Sequence, residues 1–108
     1  MKKIDILIQV NDILNILSLL ESRDKYTIPM GYEFNYVLFF DNPWAVEEFC
    51  NYSKEFSNVK VMLSESGHKP ENYNEHIKET DADCLYFLSD TAIIDSIFFD
   101  RIIKELCV

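Results

Sequence analysis

Ser89-Asp90-Thr91 has the strongest claim to chemistry in this chain, because it follows directly on the apolar run Cys84-Leu85-Tyr86-Phe87-Leu88. A run that short and that rich in aromatic and aliphatic residues predicts a strand buried on both faces. Small polar residues just past its carboxyl end then lie where open α/β sheets place their ligands. Asp90 is the one carboxylate of the turn. It is either a ligand in a metal or phosphate site or a solvated turn residue, and a hydrated hard cation gains little from a single carboxylate. No second chemistry is spelled out elsewhere. Cys50, Cys84 and Cys107 are far apart and lack CxxC spacing. Cys50 and Cys84 sit in apolar patterns and are expected to be buried free thiols. His68 and His76 have no partner carboxylate suggested by spacing and are expected to be exposed. The sequence signals no Ser-His-Asp or Cys-His arrangement and no zinc motif.

The elements that must carry these residues alternate along the chain. Lys3 to Val10 predicts a first strand, and Asn11 or Asp12 caps a helix striped by Ile13, Leu14, Ile16, Leu17 and Leu20. Pro29 and Gly31 rule out its continuation. Glu33 to Phe40 predicts the second strand, after which Asp41-Asn42-Pro43 caps and opens a helix. That helix carries Val46, Phe49, Cys50, Ser53 and Phe56 on one side and ends at Asn58. Val59 to Leu63 is a short third strand, and Glu71 to Thr80 a helix held mainly by Tyr73 and Ile77. Asp95 caps a last helix whose Phe98, Phe99, Ile102, Ile103 and Leu106 face the core. This alternation predicts a three-layer α/β/α, Rossmann-like fold with a mainly parallel four-stranded sheet. Tyr36, Phe39, Phe40, Phe49, Phe56, Phe87, Phe98 and Phe99 are expected to fill its core. Trp44, beside the end of the second strand, either stacks on a base or partner or is partly buried against a neighbouring helix.

With 108 residues, 48% of them hydrophobic, the chain has enough apolar side chain to fill one core, and a single domain over 1–108 is expected. The net charge of −9 argues against sequence-independent phosphate binding, so no nucleic-acid partner is expected. No apolar run is long enough to span a membrane. Asp5 interrupts what would be the apolar part of a signal peptide in Met1-Lys2-Lys3-Ile4-Asp5, which points to a cytoplasmic protein.

The order and spacing of elements resemble the amino-terminal, nucleotide-binding half of family 2 glycosyltransferases, which have the GT-A fold. Asn58-Val59-Lys60-Val61 matches that family's third strand as it stands. Gly67, then Tyr73-Asn74-Glu75-His76-Ile77, then Ala82-Asp83, then Ser89-Asp90-Thr91 and Asp95-Ser96 follow in the family's register without an insertion. The departures fall on the chemistry. Ser89 and Thr91 stand where the family's Asp-x-Asp metal motif has its carboxylates, Tyr73 stands in place of an arginine, and Asp41 alone survives of an acidic pair. Phe40 takes the place of its other member and is expected to line the nucleotide cleft.

The resemblance implies a nucleotide sugar, such as a UDP-sugar, bound by Gln9, Asn11, Asp41, Ser89 and Asp90. It implies Mg²⁺ or Mn²⁺ as the accompanying cation, with Asp90 as the residue left to hold it. In the same light Asp41 either accepts a hydrogen bond from the uracil ring or ribose or simply favours the helix dipole. The family's acceptor-binding half and catalytic base have no counterpart in these residues, so the chain is expected to be inactive in transfer by itself. Two readings stay open: the donor-binding half of a glycosyltransferase, and a non-catalytic binding or assembly module that exposes an apolar sheet edge and forms a homodimer. A receiver-like or flavodoxin-like domain shares the alternation but requires an acidic pair after the first strand, which is missing here.

Overall fold

Ile4, Ile6 and Ile8 point to one side of strand β1 (Lys2–Gln9) while Asp5 and Leu7 point to the other, and that alternation builds two unequal layers. The structure, a computed structural model, describes residues 1–52, 56–63 and 69–106, except for the side chains of residues 69–73 and 106. After β1 come α1 (Ile13–Arg23), β2 (Tyr32–Phe40), α2 (Pro43–Tyr52), β3 (Val59–Leu63), α3 (Lys69–Glu79), β4 (Cys84–Ser89) and α4 (Phe98–Leu106). The strands form one sheet in the order β3-β2-β1-β4. Every pairing is parallel, with Gln9 opposite both Phe39 and Ser89.

The thick layer packs Ile16, Leu19 and Leu20 of α1, Phe49 of α2, and Phe98, Phe99 and Ile102 of α4 against Ile4, Ile6, Ile8, Phe34, Tyr36, Leu38 and Phe40. Phe34 meets Phe99 with ring centroids 4.8 Å apart, a tilted aromatic pair that adds to the burial of both rings. The thin layer is a small cluster of Leu7, Val37 and Phe39 with Met62 and Leu85 alongside. Helix α3 lies over this side, with His76 edge-on to Phe39 at 6.4 Å.

Capping follows the sequence closely. Asp12 caps α1 by accepting from the Leu14 amide at 2.9 Å, and Asn42 caps α2 by accepting from Trp44 and Ala45 at 2.9 and 3.1 Å. Pro43 then occupies the first helical position, where its missing amide costs nothing. Gly31 turns the chain into β2 with φ +89°, a left-handed conformation that glycine adopts without penalty.

Several expectations are corrected by this arrangement. β4 is an edge strand, half-buried rather than buried on both faces, because the sheet places β1 and β2 at its centre. Phe87 on it is 56% exposed, so it is no core residue, and Phe56 is only partly buried. Leu14 lies outside the α1 stripe at 72% exposure, and Leu19 takes a place in the core instead. Cys50 is exposed, since the α2 face buries Phe49 and leaves its neighbour outside. Ile77 is substantially exposed and cannot be what holds α3. Ser53, Gly67, His68 and Cys107 lie outside the described residues, as do the side chains of Tyr73 and Leu106.

Candidate functional site

The strand order reverses at β1. The chain proceeds from β1 to β2 to β3 in one direction, then places β4 on the other side of β1. Open parallel sheets bind their ligands outside the carboxyl ends of the strands at such a switch point. Here the helices that follow β1 and β4 both pack on the thick layer, so the two loops lie side by side. Here those loops are Val10-Asn11-Asp12 after β1 and Asp90-Thr91 after β4, with Asp41-Asn42 one strand further on. The pairing of Gln9 with Phe39 and Ser89 puts all the sequence-predicted site residues along this one edge.

Asp90 occupies the crevice itself. It is 2% exposed, and its Oδ2 accepts from the backbone amides of Asn11 at 2.8 Å and Asp12 at 3.0 Å. A carboxylate taken out of water needs such charge-assisted bonds, and these tie the end of β4 to the start of α1. Asp90 is therefore not a solvated turn residue. It supplies its own negative charge to the amides entering α1, the place where many parallel α/β sheets bind an external phosphate.

Around it, Ser89 and Thr91 are exposed and their hydroxyls bond to each other at 2.8 Å, with the Thr91 amide donating to Ser89 Oγ at 3.2 Å. The Gln9 amide nitrogen donates to the Phe39 carbonyl at 3.1 Å, while its Oε1 is buried without a hydrogen-bond partner. Asn11 and Asp41 are exposed. Asn42 performs the capping of α2, so the Asp41 carboxylate is not needed for it. Trp44 is 79% exposed beside them, which removes the expectation of burial against a helix. Phe40 does not line this edge: it is 1% exposed and packs on Phe49 at 5.5 Å, because β2 turns that position toward the thick layer. A cavity of about 380 Å³ opens next to the crevice, lined by Asp90, Thr91 and Ile93 and by Asn15, Ser18 and Ser22 of α1.

The donor set does not fit Mg²⁺ or Mn²⁺. Hard divalent cations require several oxygen ligands, usually with more than one carboxylate. Here one Asp90 oxygen already serves two amides and the flanking hydroxyls are engaged with each other. Among the described residues no three His, Cys, Asp or Glu side chains converge as a metal site would need.

A second polar cluster lies under α3 and was not legible as a site. Asp5 is 4% exposed, and its Oδ2 accepts from His76 Nε2 at 2.8 Å and from Thr80 Oγ1 at 2.5 Å. His76 is thus buried at 3% exposure and paired, contrary to the expectation drawn from spacing. The signal was an inward-facing carboxylate inside an apolar strand, which must find a partner; His76 on α3 and Thr80 just past its end supply it. Together they anchor α3 where apolar contacts are few. The cavity beside them, about 370 Å³, is lined by Asn35, Lys60 and Asp81 among others.

These features define a class: a Rossmann-like α/β half-domain with an all-parallel sheet and a polar crevice at its switch point. The fold is glycosyltransferase-like. It matches the crystal structure of Staphylococcus aureus TarS 1–349, a GT-A-like glycosyltransferase, with a TM-score of 0.65 and 23% identity. The match covers 97% of this chain and 33% of that one, so this chain spans a third of the length of its structural neighbour. No protein-family model matches the sequence, and no curated protein does. Among the described residues no helix is long and apolar enough to cross a membrane.

Proposed function

We propose that this chain is a donor-binding module of the family 2 glycosyltransferase kind that recognises the nucleoside part of a nucleotide sugar, such as a UDP-sugar, at the carboxyl edge of its sheet. Asp41 and Asn11 offer exposed polar groups to the base or ribose, and Trp44 offers an exposed ring for stacking. Gln9, whose Oε1 is buried without a partner, lies behind them at the end of β1 and reaches the nucleoside only if its side chain turns outward. Ser89 lies next to the diphosphate. Asp90 shapes the crevice from within and holds no cation. The observation that carries this reading is the convergence of these residues on the switch point of a glycosyltransferase-like sheet. In this reading the chain transfers no sugar by itself, and the engagement of Asp90 Oδ2 with two backbone amides supports it. Calorimetric titration of UDP into the wild-type chain and Asp41→Ala tests it: binding that the substitution weakens supports the reading, and an unchanged isotherm refutes the role of Asp41.

A second reading is favoured by one surface. β4 is an edge strand without a charged residue or proline, and Phe87, Ile93 and Ile97 on and after it are 56%, 79% and 55% exposed. An edge of that kind accepts a further strand, as in a non-catalytic assembly module that forms a homodimer. Sedimentation equilibrium distinguishes the two, a dimer favouring assembly and a monomer favouring nucleotide recognition alone.

A further inference from the structure

The most exceptional charge in this protein lies away from the crevice, toward the amino ends of the strands. Arg23, at the end of α1, is 7% exposed, and its guanidinium lies 4.9 Å from the centre of the Tyr36 ring and 5.7 Å from that of Phe56. Such contacts stabilise a desolvated guanidinium through the ring faces, but its buried Nε is left without a hydrogen-bond partner. Asp24 Oδ1 approaches Nε at 3.3 Å, yet the geometry is not that of a hydrogen bond and Nε has no partner. The Asp24 side chain is itself 63% exposed.

A buried donor without an acceptor is costly, and such groups are ordinarily paired. A second donor next to it is in the same condition. The Tyr36 hydroxyl is buried and has no partner. Both residues line one cavity of about 160 Å³, whose other walls include Phe34 and Phe99 and the exposed Ser57 and Asn58. That volume resembles the roughly 150 Å³ cavity known to admit benzene, and is ample for a carboxylate or phosphate group.

We propose that this cavity is a binding site for a small oxyanion, with the Arg23 guanidinium and the Tyr36 hydroxyl as its two donors. Planar donor arrays of guanidinium groups match the geometry of carboxylate and phosphate oxygens. Burial pushes the Tyr36 phenol above its ordinary ionisation range, so it remains a donor at neutral and mildly alkaline pH. Asp24 is the competitor: its carboxylate approaches Nε from the solvent side and swings away when the anion enters. The site is independent of the nucleotide reading, since it shares no residue with the carboxyl edge.

The test follows the Arg23 Nε–H resonance in ¹H–¹⁵N spectra while inorganic phosphate, acetate or chloride is added at constant ionic strength. A saturable shift with phosphate, acetate or both, and none with chloride, is expected, and the relative affinities say which oxyanion the site prefers. Tyr36→Phe keeps the ring and the fold and weakens binding about tenfold, the effect of losing one hydrogen bond to a charged group. Asp24→Asn, which removes the competitor on the surface, tightens it several-fold. A resonance that follows ionic strength alone, or affinity unchanged in Tyr36→Phe and Asp24→Asn, overturns the proposal and leaves a hydrated cavity.

Discussion

Asp90 and Asn11 are joined at 2.8 Å from carboxylate to backbone amide, and with the Asp12 amide at 3.0 Å this closes the switch-point crevice from inside. The residue that a motif comparison places at a metal site therefore spends its charge on the fold. Asp90→Asn keeps the shape but removes the charge, and is expected to destabilise the chain by about 1–3 kcal/mol. Urea unfolding measures this. A variant as stable as the wild type would show that the two amide bonds carry no weight.

Asp5 and His76 form the other buried pair, 2.8 Å apart with both side chains almost fully enclosed. Removing one partner of such a pair leaves the other stranded. His76→Ala is expected to cost about 3–5 kcal/mol, whereas Asp5→Leu combined with His76→Phe recovers much of that loss. A double-mutant cycle by chemical denaturation checks the coupling, and additive effects would contradict it. Protection of α3 amides from hydrogen exchange should fall with the single substitution, because this cluster anchors the helix.

Tyr36 sets a dependence on alkaline pH. Burial raises its ionisation above the ordinary value near 10, so the folded chain keeps a proton that the unfolded chain releases. Its contribution is complete below about pH 10 and is lost above it, at about 1.4 kcal/mol per pH unit for one proton. The stability difference between wild type and Tyr36→Phe is expected to shift in favour of the variant as pH rises through that range. Parallel curves would show that the phenol titrates normally.

Phe40 separates packing from recognition. Its ring is buried against Phe49, and Phe40→Ala is expected to cost about 3–5 kcal/mol. Where the variant is still folded, its affinity for UDP should equal that of the wild type. A selective loss of affinity without loss of stability would put Phe40 back in the cleft.

Much of the fold was legible because its signals are local. Strand and helix periods, the Asp12 and Asn42 caps and Pro43 each act over a few residues, and all eight elements appear, though α2 is Pro43–Tyr52 and does not run on through Phe56 to Asn58 as expected. What the sequence could not display was the order of strands. β4 looked central because Cys84 to Leu88 is apolar, but an edge strand half-covered by helices has the same composition as a buried one. The Asp5–His76 pair joins residues 71 apart, and nothing in local spacing announces a partner that far away. Asp90 was recognised as the residue of interest, yet whether a carboxylate faces solvent, a cation or two backbone amides depends on how closely the β1 and β4 loops approach. Cys50 and Leu14 failed for a simpler reason: a helix stripe defines a face, and the packing partner decides how wide that face is.

We infer that the carboxyl edge binds a nucleoside without a metal. Amide NMR spectra recorded while UDP and then GDP are added, with and without Mn²⁺, test it most directly. Saturable shifts confined to Gln9, Asn11, Asp41, Trp44 and Ser89–Thr91 are expected, the same in position and affinity whether or not Mn²⁺ is present. Shifts that require Mn²⁺ would return Asp90 to a ligand's role, and no shifts at millimolar nucleotide would rule out a nucleoside site at this edge.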